Sequence, residues 1–212
     1  MEPKRIIDVS RWQGNINWAK VKNSAKVDGV MLRVLGSKNG NPYVDPMFQT
    51  NYGACVKYGI PVGAYYYGAA TTYRNANIEL ATLKKHLTGK TFQLPIAVDI
   101  EDFRLTGLNQ EELTDLVAYE LAMIESWGVY AMLYTYLDFA KRNLFPAGAA
   151  LKPYDIWLAA YRSTKPSTDF AYGMWQYTSS AKVPGISGDV DMSRAYKDYA
   201  AIIKRAGLTQ VK

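Results

Sequence analysis

Short apolar runs alternate with longer amphipathic stretches along most of the chain. Compact runs at residues 5–9, 29–34, 61–67, 94–100 and 129–134 read as strands. Helical patterning fills the intervals. One helix is expected over residues 18–26. A second opens at Asp45, an N-cap candidate, with Pro46 in its first turn and Gly59 at its end. A third spans residues 73–87, closed by Gly89. A fourth opens on Asn109 with Glu112 three residues on, a capping-box spacing, and runs to Trp127 ahead of Gly128. Strands that are apolar throughout belong between two covering layers, so consecutive strand–helix units imply a parallel sheet with right-handed crossovers. The spacing then changes. Runs at 155–161, 173–177 and 189–192 read as three more strands, with only about a dozen residues between them. Such gaps are tight for full crossover helices, so the last strands are expected to lack them, with some strands running antiparallel. A last helix over 196–206 ends at Gly207. Eight strands with a helix-poor second half describe a shortened α/β barrel. A full eightfold barrel takes about 250 residues, and this chain has 212.

Composition narrows the chemistry. Apolar residues make up 49% of the chain, enough for one sizeable core in a single domain. The one cysteine, Cys55, excludes an internal disulfide framework, and the one histidine, His86, excludes a histidine-rich metal site. Lys and Arg number 25 against 19 acids, a net charge of +6, which suits anionic surroundings: nucleic acid, an anionic membrane and bacterial wall polymers all fit. No consecutive basic block supports a nucleic-acid arm, and no nucleic-acid partner is expected. Residues 1–5 are charged, so a secretory leader is not expected, and no run of about 18 apolar residues predicts a membrane span. Gly89-Lys90-Thr91 resembles the end of a phosphate loop, but Lys84 stands where its first glycine belongs. No cofactor is expected, and the chain is expected to act as a monomer.

The acids at strand ends carry the most information. Asp8 lies late in the first strand, Asp99 and Glu101 close the fourth, and Asp191 lies in the eighth. Residues i and i+2 of a strand face one way, roughly 6.6 Å apart at Cα, so Asp99 and Glu101 point together. At the C-terminal ends of barrel strands they would face the mouth, where barrel enzymes do their chemistry. Two neighbouring carboxylates in an apolar frame push a proton onto one of them. Glycoside hydrolysis needs such an arrangement, with one acid to protonate the leaving oxygen and another group to stabilise positive charge at the anomeric carbon. A divalent-cation site built from Asp8, Asp99, Glu101 and Asp191 is the other reading of these acids.

A longer series of motifs runs through the chain in order. It comprises Asp8-Val9-Ser10-Arg11-Trp12-Gln13-Gly14 with Ile16-Asn17-Trp18, Gly63-Ala64-Tyr65-Tyr66-Tyr67, Ala97-Val98-Asp99-Ile100-Glu101, Ile156-Trp157-Leu158-Ala159-Ala160-Tyr161, Trp175-Gln176-Tyr177 and Gly188-Asp189-Val190-Asp191. In these the chain resembles glycoside hydrolase family 25, the Chalaropsis-type lysozymes of phage endolysins and bacterial autolysins. The resemblance implies an irregular TIM-like (β/α)5(β)3 barrel over the whole chain, with a core from about residue 5 to residue 206. It implies a muramidase that cuts the β-1,4 bond between N-acetylmuramic acid and N-acetylglucosamine of peptidoglycan, without a metal. Carried over by position, Glu101 is the general acid/base, Asp99 orients or stabilises the substrate acetamido group, and Asp8 and Asp191 complete the acidic cluster. The family's retaining outcome is read here as participation of the 2-acetamido oxygen. The sequence departs from the family at Tyr65-Tyr66-Tyr67, where a histidine or phenylalanine is common.

Strand residues near the mouth supply the binding candidates. Tyr65, Tyr67, Tyr134, Trp157 and Trp175 are read as sugar-stacking rings or as barrel packing. Arg33 is read as a holder of the muramyl lactate or peptide carboxylate, or as a surface ion pair. Gln176 is read as a hydrogen-bond donor to substrate or as a partner that satisfies a neighbouring strand. Two further readings stay open: another N-acetylhexosaminidase of chitinase type, and a catalytically silent glycan-binding barrel.

Overall fold

The computed structural model describes residues 2–146 and 148–212. One sheet of nine strands organises the chain. In sequence order its strands are β1 (Lys4–Val9), β2 (Gly29–Lys38), β3 (Asn41–Val44), β4 (Val62–Gly68), β5 (Ile96–Ile100), β6 (Ala131–Tyr136), β7 (Asp155–Ala159), β8 (Met174–Ala181) and β9 (Val190–Ala195). Eight of them close into a barrel because β1 pairs both with β2 and with β9. Seven of the eight run parallel. The exception is β9, antiparallel to both neighbours, whereas β7 and β8 pair parallel across a short gap that also holds no helix. Six α-helices are described: α1 (Trp18–Asn23), α2 (Phe48–Lys57), α3 (Tyr73–Leu87), α4 (Gln110–Ser126), α5 (Leu137–Asn143) and α6 (Tyr199–Ala206). None is long and apolar enough to cross a membrane.

Strand alternation divides the apolar side chains between two cores. Ile6, Met31, Ala97, Met132, Trp157 and Met174 pack inside the barrel. Ile7, Val30, Leu32, Val98, Leu133, Leu158 and Trp175 point outward and bury against helices α2–α4 and the surrounding loops. All five β5 residues are therefore buried, as a strand covered on both faces must be.

The helix ends follow their local chemistry. Asn109 Oδ1 accepts the Glu112 amide at 2.9 Å while Glu112 Oε2 accepts the Asn109 amide at 3.0 Å, so the capping box is complete. Asp45 does not cap α2, which starts three residues later at Phe48. One Asp45 oxygen accepts the Met47 amide and the other is taken by the Arg11 amide and the Arg33 side chain, so the carboxylate starts a turn instead. The last helix starts at Tyr199 rather than 196, because Asp198 caps it through the Ala201 amide. The first helix ends early, at Asn23.

Three segments add to the expected pattern. Strand β2 continues to Lys38, turns at Asn39 and Gly40, both with positive φ, and returns as β3. Strand β6 starts at Ala131 and runs on to Tyr136, since Val129 bridges to Thr209 instead. The short helix α5 follows directly, burying Leu137 and Ala140.

Candidate active site

The C-terminal ends of the parallel strands surround a cavity of about 230 Å³. Asp8, Asp99, Glu101 and Asp191 all line it. Asp8 and Asp191 stand opposite one another in the β1–β9 register, which places two acids on one rim from strands far apart in sequence. Asp99 ends the inward row of β5, and Glu101 continues it one residue beyond the strand. Asp8 and Asp99 are only 6% and 5% exposed, so each carboxyl is largely cut off from bulk water.

That burial governs the proton balance. The Glu101 carboxyl is pushed up to about 7, chiefly by desolvation and then by the charges of Asp191 and Asp102. Desolvation also raises Asp99, reinforced by Glu101 and Asp8 and opposed by Arg33. Asp8 is raised by burial and by Asp191, and a hydrogen bond from Gln176 opposes the shift. Asp191 is raised mainly by burial. One oxygen each of Asp99 and Glu101 is buried with no protein hydrogen-bond partner among the described residues. Burial and mutual repulsion therefore favour the protonated form in this cluster, and Glu101 lines the cavity where it can release a proton.

A hydrogen-bonded frame fixes the opposite wall. Gln176 Nε2 donates to Asp8 Oδ2 at 2.9 Å. Its Oε1 accepts from the hydroxyls of Tyr134 at 2.9 Å and Tyr161 at 3.1 Å, and the Tyr136 and Tyr161 hydroxyls lie 2.8 Å apart. Gln176 thus holds an acid in place, and both ends of its amide are occupied by protein. Trp157, 1% exposed, forms the floor: its indole N–H donates to Ser193 at 2.9 Å and its ring packs against Tyr134 at 4.7 Å. Tyr65 packs edge-on against Trp157, and Tyr67 lines the wall with its hydroxyl toward Asp102.

Of the alternatives open for Trp175 and Arg33, the structure takes packing for the first and an ion pair, buried rather than at the surface, for the second. Trp175 does not reach the mouth. Neighbouring strand residues face opposite sides, and with Gln176 inward Trp175 turns outward, where its indole donates to the Ala160 carbonyl at 2.8 Å in the outer core. Arg33 lines the cavity, but its Nε donates to Asp45 at 2.8 Å and its Nη2 lies 2.8 Å from the same fully buried oxygen, so its charge is already matched. Trp12, Tyr136 and Tyr161 line the cavity without having been singled out as binding residues. Tyr136 was legible as the i+2 partner of Tyr134. Trp12, 72% exposed, is lifted to the rim by the turn at Arg11–Gln13, which Ser10 and Gln13 close through reciprocal capping. Among the described residues no three His, Cys, Asp or Glu side chains gather as a metal-ligand set.

Residues 7–186 match the family model described as glycosyl hydrolases family 25. The chain belongs to that family. Among relatives of this family 25 hydrolase, the uncharacterized protein YegX of Escherichia coli K12 is 29% identical over 88% of this chain and 67% of its own length. The autolytic lysozyme of Clostridium acetobutylicum is 27% identical over 88% of this chain and 54% of its own. The crystal structure of a bacterial lysozyme from Streptomyces coelicolor superposes with a TM-score of 0.81 at 23% identity, covering 97% of this chain and 98% of that one, a likeness of fold.

Proposed function

We propose that this family 25 hydrolase is a peptidoglycan muramidase that cleaves the β-1,4 bond from N-acetylmuramic acid to N-acetylglucosamine, with Glu101 as general acid/base. The observation that carries the reading is the convergence of Asp99 and Glu101 on one cavity, with the Glu101 carboxyl poised at about 7. A general acid works best with a pKa near the working pH. The autolytic lysozyme among its relatives supports peptidoglycan as substrate and the bacterial wall as the place of action.

The chemistry runs in two steps. Glu101 donates its proton to the glycosidic oxygen as the bond to the anomeric carbon breaks. The 2-acetamido oxygen of the muramyl ring closes on that carbon from the opposite face, and Asp99 stabilises the positive charge that develops on the acetamido group. Glu101, now a carboxylate, takes a proton from water; the water oxygen opens the ring-fused intermediate, and the β configuration is retained. The charge of Asp191 keeps the proton affinity of Glu101 high, and Gln176 holds Asp8 in place beside it.

Mass spectrometry of digested peptidoglycan tests the bond assignment. Products with muramic acid at the new reducing end are expected. Glucosamine at the new reducing end would assign the other glycosidic bond and contradict a muramidase.

A further inference from the structure

Beside the acidic cavity lies a second concavity of about 630 Å³, between the turn at Arg11–Gln13 and the β2–β3 hairpin. The two cavities share no lining residue, but Arg11 of one adjoins Trp12 of the other. Arg11 and Lys38 line the second cavity, with Ser37, Asn39, Asn41, Pro42 and Tyr43, and no acid does. Both cations are exposed and neither forms an ion pair within the described residues.

The wall that carries them is built rather than loose. The Arg11 guanidinium lies 4.7 Å from the Trp12 ring centroid and 5.0 Å from that of Tyr43, so two aromatic faces hold it. Gly36 makes room for Tyr43: a Cβ there would come within 2.4 Å of the ring. Arg104, paired with Asp102, reaches across to Ser37 Oγ at 3.4 Å and ties the hairpin to the segment that follows Glu101. Arg33, the cation first read as the carboxylate holder, is neutralised by Asp45, which leaves Arg11 and Lys38 as the unpaired positive charges of this rim.

Resting on the muramidase reading, we propose that this second cavity binds a carboxylate of the peptide arm that hangs from the muramyl ring. A planar guanidinium fork matches a carboxylate, and an ammonium beside it adds a point charge. The polar Ser37 and Asn41 side chains suit the peptide's amide groups. Because the two cavities adjoin but share no lining residue, the group assigned to the second is one on the peptide rather than the lactyl acid next to the ring.

The test compares glycan chains bearing their peptides with the same chains stripped by an amidase, which leaves only the lactyl acid. Arg11→Gln with Lys38→Gln is expected to raise KM on peptide-bearing chains about tenfold, roughly threefold per exposed charge contact, with kcat unchanged. KM on stripped chains should stay at the wild-type value, and Arg11→Lys alone should recover part of the loss. An equal rise on both substrates, a rise on stripped chains only, or no rise on either would overturn the proposal. Stripped chains cleaved normally by wild type, with no effect of the variants on peptide-bearing chains, would sink this inference while leaving the muramidase reading standing.

Discussion

Burial does the decisive work at Glu101. An exposed glutamate has lost its proton well below neutral pH and has nothing to give a leaving sugar. Here desolvation and the charges of Asp191 and Asp102 hold the proton up to about pH 7. Replacing Glu101 with Gln keeps the shape and removes the transferable proton, so kcat on purified peptidoglycan is expected to fall by about 10²–10⁴ with substrate binding retained. Turnover within a few-fold of wild type would place the acid elsewhere. The pairing of these acids was legible because i and i+2 strand residues share a face. The same rule decides Trp175: a strand that turns Gln176 inward must turn Trp175 outward. The ion pair of Arg33 was one of its two readings, but its partner was not legible, because Asp45 comes from the far side of a hairpin and looked like a helix cap.

Among the elements, those with both a periodic pattern and a capping signal were readable. Helix α3 and the capping box of α4 lie where the spacing put them. Strand β3 and helix α5 were not read. The hairpin did carry a signal: Asn39-Gly40 is a two-residue turn pair, and both residues adopt positive φ. Pro42 is disfavoured in a strand interior but tolerated at an edge, where β3 lies. Helix α5 has seven residues, too short for a periodic pattern to stand out. The elements that escaped notice are not minor. The hairpin forms a wall of the second cavity, and the turn before α1 raises Trp12 to the rim.

For the whole molecule, the shortened barrel follows from one count: full crossover helices run out in the second half, and β9 closes the ring antiparallel. The outer layer holds a second set of buried acids that the pattern gave no reason to expect. Glu79 of α3 accepts the Ala69 amide, with its carboxyl pushed up to about 7 by burial, and Glu120 of α4 is raised for the same reason and by Glu79. Between the ordinary glutamate value and about 7, folded Glu79 keeps a proton that the unfolded chain has released. Its contribution to stability is therefore complete at low pH and lost as pH rises through that window, on the order of 2–3 kcal/mol. Urea unfolding at about pH 5 and pH 8 should show stability falling with pH, and Glu79→Gln, which keeps an acceptor for Ala69, should flatten the fall. An unchanged slope in the variant would show that Glu79 is not the group responsible.

The reaction itself depends on Glu101 entering each turnover protonated. The pH dependence of kcat/KM on soluble peptidoglycan fragments tests this most directly. The account predicts a descending limb near pH 7, about tenfold per unit beyond it. A rate that stays level from about pH 6 to pH 9 would mean that the proton comes from another group.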